Sequence, residues 1–403
     1  MILKSELFIE NASGINEKKI LLRVDYNVPT DDSGKIITDD SRIKMSIPTI
    51  KYLLSKNCKI IIISHKGRPK GKKTEKESLS IIKPVLENLL KSKNISFNSI
   101  NFIDDCIGEN VKNTIEKMQP KDILICENLR FYKEEEENNL DFAKKLAENA
   151  DIFVSDAFGA VHRAHASVEA IAKFLPHYYG YLIRDEVQNL NYVLHKQNPP
   201  LVAIVGGSKV SSKIDVLLQL IKKADYILIG GAMAYTFLRA NGLEIGKSLV
   251  ETEYVQTAYN IMSEAAKAKV QFVLPVDHIM AYEAKDTAKR FKSKGPDIDQ
   301  DKMGVDIGPK TIKLFKEYIA KGKTIFWNGP LGIFEIPQFA KGTVKIAQII
   351  GKTKSFKVVG GGDSVAAISM AKLESKFNHL SSGGGASLEY IEGKKLPGLA
   401  IFE

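Results

Sequence analysis

Short apolar runs recur along the whole chain, and many stop at glycine or acidic residues. In the first half they are Ile20–Val24, Ile60–Ser64, Ile123–Cys126 and Ile152–Val154. In the second they are Leu201–Val205, Tyr226–Ile229, Phe272–Leu274, Thr324–Trp327 and Lys357–Val359. Runs this short and apolar throughout suit strands covered on both faces. Helix-length segments separate them, with helical periodicity at Ile81–Lys91, Leu140–Asn149, Val210–Lys222 and Tyr254–Lys269. Strands spaced by helices imply repeated βα units and parallel sheets. The expected fold is α/β: two doubly wound, Rossmann-like domains with mainly parallel sheets, joined by a helical hinge.

A chain of 403 residues exceeds one ordinary core and suits about two to three domains. The best boundary is Gln197-Asn198-Pro199-Pro200, because adjacent prolines sit in neither a helix interior nor a central strand. Arg184–His195 reads as a helix leading to it. The expected division is therefore 1–183, with 391–403 returning to it, then 184–200 as connecting helix and hinge, then 201–390. Apolar Leu396–Phe402 is the segment expected to pack back. Lys133 with Glu134–Glu137 reads as a solvated loop or helix start.

Lys and Arg number 58 against 48 Asp and Glu, a net charge of +10. Most of that excess reads as a solvated lysine surface, and the rest as a field attracting anions. Nucleic acid is disfavoured, since no basic run is interleaved with aromatics. Cys58, Cys106 and Cys126 are odd in number and lack ligand spacing. They argue against a disulfide framework and against zinc, and suit a reducing cytoplasm. The N-terminal MILKSELFIENASG is too polar for a signal peptide, and no apolar run approaches 18 residues. Neither export by that route nor a membrane span is expected.

In doubly wound sheets, ligands bind beyond the carboxyl ends of the strands. In the first half these tips carry Arg23-Val-Asp25-Tyr-Asn27, Ser41-Arg42, His65-Lys66-Gly67-Arg68, Glu127-Asn128-Leu-Arg130 and Asp156 through His162-Arg163-Ala-His165. Arginine's planar fork suits phosphate and carboxylate oxygens. Five candidate arginines, with Asp25 and Asn27 to hold hydroxyls, suit a small doubly anionic ligand. His65, His162 and His165 suit hydrogen bonding rather than metal ligation. In the second half the tips carry glycine: Gly206-Gly207, Gly230-Gly231, Gly329-Pro-Leu-Gly332, Gly360-Gly361-Gly362-Asp363-Ser364 and Gly383–Gly385. Glycine lets backbone N–H groups approach phosphates closely. Lys209 and Lys213 follow Gly206-Gly207 at i and i+4, on one face of an expected helix. This is not the usual phosphate loop; the nearest approach to that pattern, Asn241 to Ser248, lacks its first glycine. Asp363 reads equally as a helix N-cap and as a Mg²⁺ ligand.

Taken together, the blocks RVDYNVP (23–29), HKGRP (65–69), ENLRF (127–131), DAFGAVHRAHAS (156–167), GGSKVSSK (206–213), DIGP (306–309), NGPLGIFE (328–335), GGGDS (360–364) and SGGGAS (382–387) resemble the phosphoglycerate kinase family along nearly the whole chain. The resemblance implies a monomeric enzyme whose first domain binds 3-phosphoglycerate or 1,3-bisphosphoglycerate and whose second binds Mg·ADP or Mg·ATP. It places Asp25, Asn27, Arg42, His65, Arg68, Arg130 and Arg163 on the glycerate ligand. It places Lys213, Gly304, Glu335 and Gly360 to Ser364 on the nucleotide, with Asp363 toward Mg²⁺. Arg42, Lys209, Gly361 and Gly384 would stabilise the group in transfer, and the domains would close to bring the reactants into line. Lys66 departs from the family's usual leucine and adds a positive charge beside the site; Ser155 and Ala160-Val161 also depart. Two other classes remain. A nicotinamide-dependent dehydrogenase lacks its G-x-G-x-x-G here, and a non-catalytic polyanion binder would leave the transfer residues without a purpose.

Overall fold

The computed structural model describes residues 4–195 and 198–401. Gln197 of the expected boundary, Phe402 of the apolar C-terminal run and the first three residues lie outside them. The chain divides into two compact units, Met1–Val187 with Lys395–Glu403, and Gln188–Lys394.

The first unit is built on β1 (Lys19–Val24), β2 (Lys59–Ile63), β3 (Ile100–Ile103), β4 (Ile123–Cys126), β5 (Ile152–Asp156) and β6 (His177–Tyr179). They form one sheet in the order β3-β4-β2-β1-β5-β6, and every pairing is parallel. Alternate side chains feed two cores. Ile20, Leu22, Val24, Ile60 and Ile62 enter one, and Leu21, Ile61, Ile63, Leu124 and Phe153 enter the other. Burial on both faces is why these runs are apolar without alternation. Asp156 ends β5 fully buried and accepts the Leu182 N–H at 2.9 Å, which starts the helix Tyr181–Leu194. Burial raises its carboxyl to about 7.

The second unit holds β7 (Leu201–Val205), β8 (Tyr226–Ile229), β9 (Gln271–Val273), β10 (His278–Ala281), β11 (Phe291–Lys292), β12 (Met303–Ile307), β13 (Thr324–Asn328), β14 (Phe356–Gly360) and β15 (His379–Leu380). Six make a second parallel sheet, β15-β14-β13-β7-β8-β9. Val202, Ile204, Ile325, Trp327 and Val359 anchor its core. The order β11-β10-β12 is a small antiparallel sheet that the apolar runs do not announce.

The division between the units falls within the helix Tyr181–Leu194. Two expectations need correction. The C-terminal return begins at Lys395, not at 391. Glu392 and Lys394 stay with the second unit, where Lys394 Nζ lies 3.4 Å from Asp215 and 2.7 Å from Glu392. Beyond that point Leu396 and Leu399 are fully buried, and the Leu399 carbonyl accepts the Tyr179 hydroxyl at 2.9 Å. Finally, Lys133–Glu136 is a short helix, and Glu135 within it is fully buried rather than solvated. Its carboxylate accepts the Ser167 hydroxyl at 2.6 Å and the Ser167 N–H at 3.0 Å.

Candidate functional site

Parallel strands leave all their carboxyl ends on one side, so each sheet presents one row of tips. In the first unit, β1 delivers Asp25 and Asn27, β2 delivers His65 to Arg68, and β4 delivers Asn128 and Arg130. Arg42 sits in the first turn of the helix Ser41–Ser55 and its Nη1 pairs with Asp25 Oδ2. Asn27 Oδ1 accepts the Gly67 N–H at 2.9 Å, and Arg130 Nη1 donates to the Gly67 carbonyl at 2.6 Å. The Gly67 peptide thus ties the β1 tip to the β4 tip. Its φ of +60° is a conformation that side chains rarely adopt, and an added Cβ would also displace the Glu77 carboxylate. These contacts link Asp25 to Arg42 and Asn27 to Arg130, while His65 Nδ1 meets Arg23 Nη2 at 2.9 Å. Arg163 is half-buried and its Nε donates to His162 Nε2 at 3.2 Å. Arg68 is exposed and makes no hydrogen bond or ion pair with the described residues.

Of the five candidate arginines, Arg23 does not face a ligand. It is 1 % exposed, and its three nitrogens are committed to the Ser167 hydroxyl (Nε, 3.3 Å), the Val24 carbonyl (Nη1) and His65 Nδ1 (Nη2, 2.9 Å). Charge accumulates under the cluster with little water to screen it. Burial, then Arg163 and Arg23, bring Arg130 down to about 10, with Glu136 opposing. Burial, then Arg23, Arg130, Arg163 and Arg42, hold His65 well below its ordinary range. Burial, then Arg130, Arg23, Arg163 and His162, bring His165 to about 3. Both imidazoles are therefore uncharged at neutral pH.

Lys66 turns its charge into the adjoining loop rather than to solvent. Its side chain is 4 % exposed, its Nζ donates to the Lys76 carbonyl, and Glu77 lies at 4.0 Å. Its charge is spent on folding the loop back onto β2. Glu127 and Asn128 brace the same loop: Glu127 accepts from Ser78 and Leu79 at 2.8 Å, and Asn128 Nδ2 donates to the Glu77 carbonyl at 2.9 Å.

In the second unit the tips are backbone. A Cβ on Gly206 would lie 2.1 Å from the Pro330 carbonyl oxygen, and one on Gly231 2.5 Å from that of Gly207. The tips of β7, β8 and β13 therefore touch through main chain alone. Beside them lies a cleft of about 420 Å³. Gly207, Gly231 and Gly304 form part of its wall, Tyr235 and Val305 supply apolar surface, and Glu335 and Asp363 stand at it with exposed carboxylates. Gly304 has no room for a side chain because the Tyr235 hydroxyl would lie 2.1 Å from its Cβ. The Gly304 N–H is fixed by Ser248 Oγ at 2.9 Å, so the 241–248 near-match is scaffolding for this wall and not a phosphate loop.

The helix carrying Lys209 and Lys213 begins later than the periodicity implies, at Ile214. Lys213 is its N-cap and Lys209 lies in the preceding loop, so the shared helical face does not exist. The cause is Glu251, which accepts the Ser211 N–H at 3.0 Å and the Ser211 hydroxyl at 2.6 Å and holds residues 209–212 off the helix. Lys209 is exposed. Lys213 Nζ donates to Asn328 Oδ1. Burial lowers its ammonium, against the opposing fields of Glu392 and Asp363. Asn328 Nδ2 in turn donates to the Gly360 carbonyl at 2.8 Å.

Two helices start at the β14 and β15 tips. Gly361, with φ +89°, caps Gly362–Met370, and Gly384, with φ +54°, caps Gly385–Glu392. Helix N-termini carry unpaired N–H groups and a positive partial charge, which suits phosphate. Ser364 is buried, and its hydroxyl accepts the Gly329 N–H at 2.6 Å. Its side chain holds the β13 tip and does not present itself to the cleft.

No cluster of three or more metal-ligating side chains occurs among the described residues. Asp363 is a lone exposed carboxylate in the first turn of its helix. That donor set fits Mg²⁺, which keeps its waters and takes one or two carboxylates alongside ligand phosphates, and does not fit a protein-only cage. Asn328, Glu251 and Glu135 carry much of the positioning and are not singled out by composition or spacing. Asn328 alone had a local signal, as the last residue of an apolar run ending at glycine.

A model of the phosphoglycerate kinase family matches residues 9–394. Among curated relatives, the chain is similar to "Phosphoglycerate kinase" of Dictyoglomus turgidum, 48 % identical over 387 residues and 96 % of each chain. It is likewise similar to that of Prochlorococcus marinus, 48 % identical over 393 residues with the same coverage. Among solved structures it is similar to phosphoglycerate kinase from Coxiella burnetii, at 38 % identity, TM-score 0.87 and 98 % coverage of both chains. The one from Pyrococcus horikoshii gives 29 %, 0.83 and the same coverage.

Proposed function

The chain belongs to the phosphoglycerate kinase family, and we propose that its two units divide the ligands of that reaction between them. It is a phosphotransferase that moves a phosphoryl group between 1,3-bisphosphoglycerate and ADP, giving 3-phosphoglycerate and ATP, in glycolysis and gluconeogenesis. The first unit takes the glycerate ligand, through Asp25, Asn27, Arg42, His65, Arg68, Arg130 and Arg163. The second takes the nucleotide, through the glycine-walled cleft, Lys213, Glu335 and the Gly360–Ser364 tip.

The nucleophile is a diphosphate oxygen in one direction and a carboxylate in the other. Both are ionised at neutral pH, so no general base is required. What remains is positioning and neutralising charge on the group in transfer. Arg42, Lys209 and the N–H groups at Gly361 and Gly384 take that task. Mg²⁺, held by Asp363 together with the nucleotide phosphates, supplies further neutralisation when bound. Donor and acceptor belong to different units, so transfer requires the two to meet with water excluded. The three cysteines, all free and buried, fit a cytoplasmic setting.

The observation that carries this reading is the first-unit cluster itself. Arginines converge on one row of strand tips, and the histidine among them is kept uncharged, so the site binds anions without offering a base. The test is 3-phosphoglycerate-dependent ADP formation from Mg·ATP, with Arg42→Ala as control. ADP formation independent of 3-phosphoglycerate, or equal in the variant, would overturn it.

A further inference from the structure

Behind the first-unit tips runs a buried chain of polar groups that the reaction itself does not call for. Glu135, in the short helix Lys133–Glu136, is fully buried. Its Oε1 accepts the Ser167 hydroxyl at 2.6 Å and its Oε2 the Ser167 N–H at 3.0 Å. With its proton given to Glu135, the Ser167 oxygen accepts from Arg23 Nε at 3.3 Å. Arg23 Nη1 is fixed on the Val24 carbonyl, which leaves Nη2 aimed at His65 Nδ1, 2.9 Å away. All four side chains are within 6 % of complete burial. Nothing in this chain is free to rotate without leaving a desolvated donor or acceptor unpaired.

A guanidinium has five donors and no acceptor. His65 Nδ1 must therefore be the acceptor, and a ring proton can sit only on Nε2. We propose that Arg23, braced by Ser167 and Glu135, is a positioning residue that locks His65 in its Nε2–H tautomer, so that His65 serves as a hydrogen-bond donor to a carboxylate or hydroxyl oxygen of the three-carbon acid. This rests on the reading of the first-unit tips as the acid site. It explains why a histidine stands there and not another cation. Arg42, Arg130 and Arg163 already surround it, and a further charge would raise the cost of the empty site, whereas a neutral donor adds direction without charge. It also explains the buried Glu135: a carboxylate beneath the cluster offsets the Arg23 charge that the brace needs.

The test uses full-length enzyme labelled with ¹⁵N-histidine and long-range ¹H–¹⁵N correlation at about pH 7, where an ordinary histidine is largely neutral. His65 is assigned by its loss in His65→Gln. The expected pattern is a neutral ring protonated on Nε2, with the Nε2 signal moving when 3-phosphoglycerate is added. Ser167→Ala should release the brace: the Nδ1–H form appears, and KM for 3-phosphoglycerate rises about fivefold or more while KM for ATP stays within about twofold. Ser167→Thr, which keeps the hydroxyl, should restore both. If Ser167→Ala does not fold, Arg23→Lys reads the same tautomer, because a lysine cannot reach Ser167 and His65 together. A wild-type His65 that is an imidazolium, or protonated on Nδ1, overturns the proposal. An Nε2–H tautomer that ignores 3-phosphoglycerate overturns the acid-site reading instead, and with it the donor role, while leaving the brace in place.

Discussion

At the tips of β1, β2 and β4 the groups offered to a ligand are side chains, and Asp25, His65 and Arg130 among them are buried. At the tips of β7, β13 and β14 they are largely backbone, and side chains have been removed to let strands touch. The first arrangement concentrates a positive field where water screens it poorly, so its less exposed cations take local partners: Asp25 for Arg42, the Gly67 carbonyl and Glu136 for Arg130, whereas Arg68 stands in water. The second arrangement needs no such partners, because peptide N–H groups are already part of the fold. Its weakness is steric. A buried-charge site fails when a partner is lost, and a backbone site fails when an atom is added.

The largest expected effects set one cation of each kind against the other. Arg42→Ala and Lys209→Ala should each lower kcat by two orders of magnitude or more, on the order of 3 kcal/mol. Steady-state kinetics with both substrates saturating decides it, and a loss confined to KM would make either residue a ground-state binder. The two should differ in stability. Arg42→Ala leaves Asp25, 8 % exposed, without its cation, whereas Lys209 is exposed and its loss should leave the urea midpoint unchanged. Next comes the steric side. Gly206→Ala places a methyl against the Pro330 carbonyl, where its Cβ would sit at 2.1 Å, and should cost about 1–3 kcal/mol along with nucleotide affinity. Gly362→Ala meets nothing within 4 Å, so stability should hold and any loss should fall on nucleotide affinity alone, since Gly362 belongs to the tip that takes the nucleotide. Equal responses at the two glycines would break the comparison.

Much of this architecture was legible because a buried parallel strand is nearly all apolar: Leu201–Val205 and Ile123–Cys126 need no other signal. The edges were not. Asn101, exposed in β3, interrupts its run, and β6 reads His-Tyr-Tyr. The arginines and glycines of the tips stood out because the same chemistry recurs after strand upon strand. What could not be read was any role fixed by a distant partner. The helix pattern over Val210–Lys222 is present, but Glu251, 40 residues beyond Ser211, overrides its first turn. Glu135 sits in a run that looks solvated, and its hydrogen-bond partner Ser167 lies 32 residues on. Lys66 reads as a charge at the site until Glu77 is seen to take it.

The smaller predictions concern how well the first unit insulates its charges. His165 has an ordinary value of 6.5 and is brought to about 3 by burial and then Arg130, Arg23 and Arg163. Between those values the unfolded chain binds a proton that the native one refuses. Stability therefore rises with pH across that window and falls as pH drops below about 6.5. His165→Gln should flatten this acid limb in urea unfolding followed between pH 7 and pH 5; an unchanged slope would assign the acid sensitivity elsewhere. Lys66 should give the smallest effect. Its ammonium is buried against the Lys76 carbonyl and Glu77, and burial lowers its pKa more than Glu77 restores it. Replacing a buried, paired cation with an apolar side chain of similar length is often near neutral. Lys66→Met should shift stability by less than about 1 kcal/mol, since Glu77 is partly exposed and can take up water in its place. KM for 3-phosphoglycerate should stay within about twofold. A clear rise in that KM, with stability unchanged, would mean that the Lys66 charge reaches the ligand after all and that the first unit insulates its charges less completely than its burial implies.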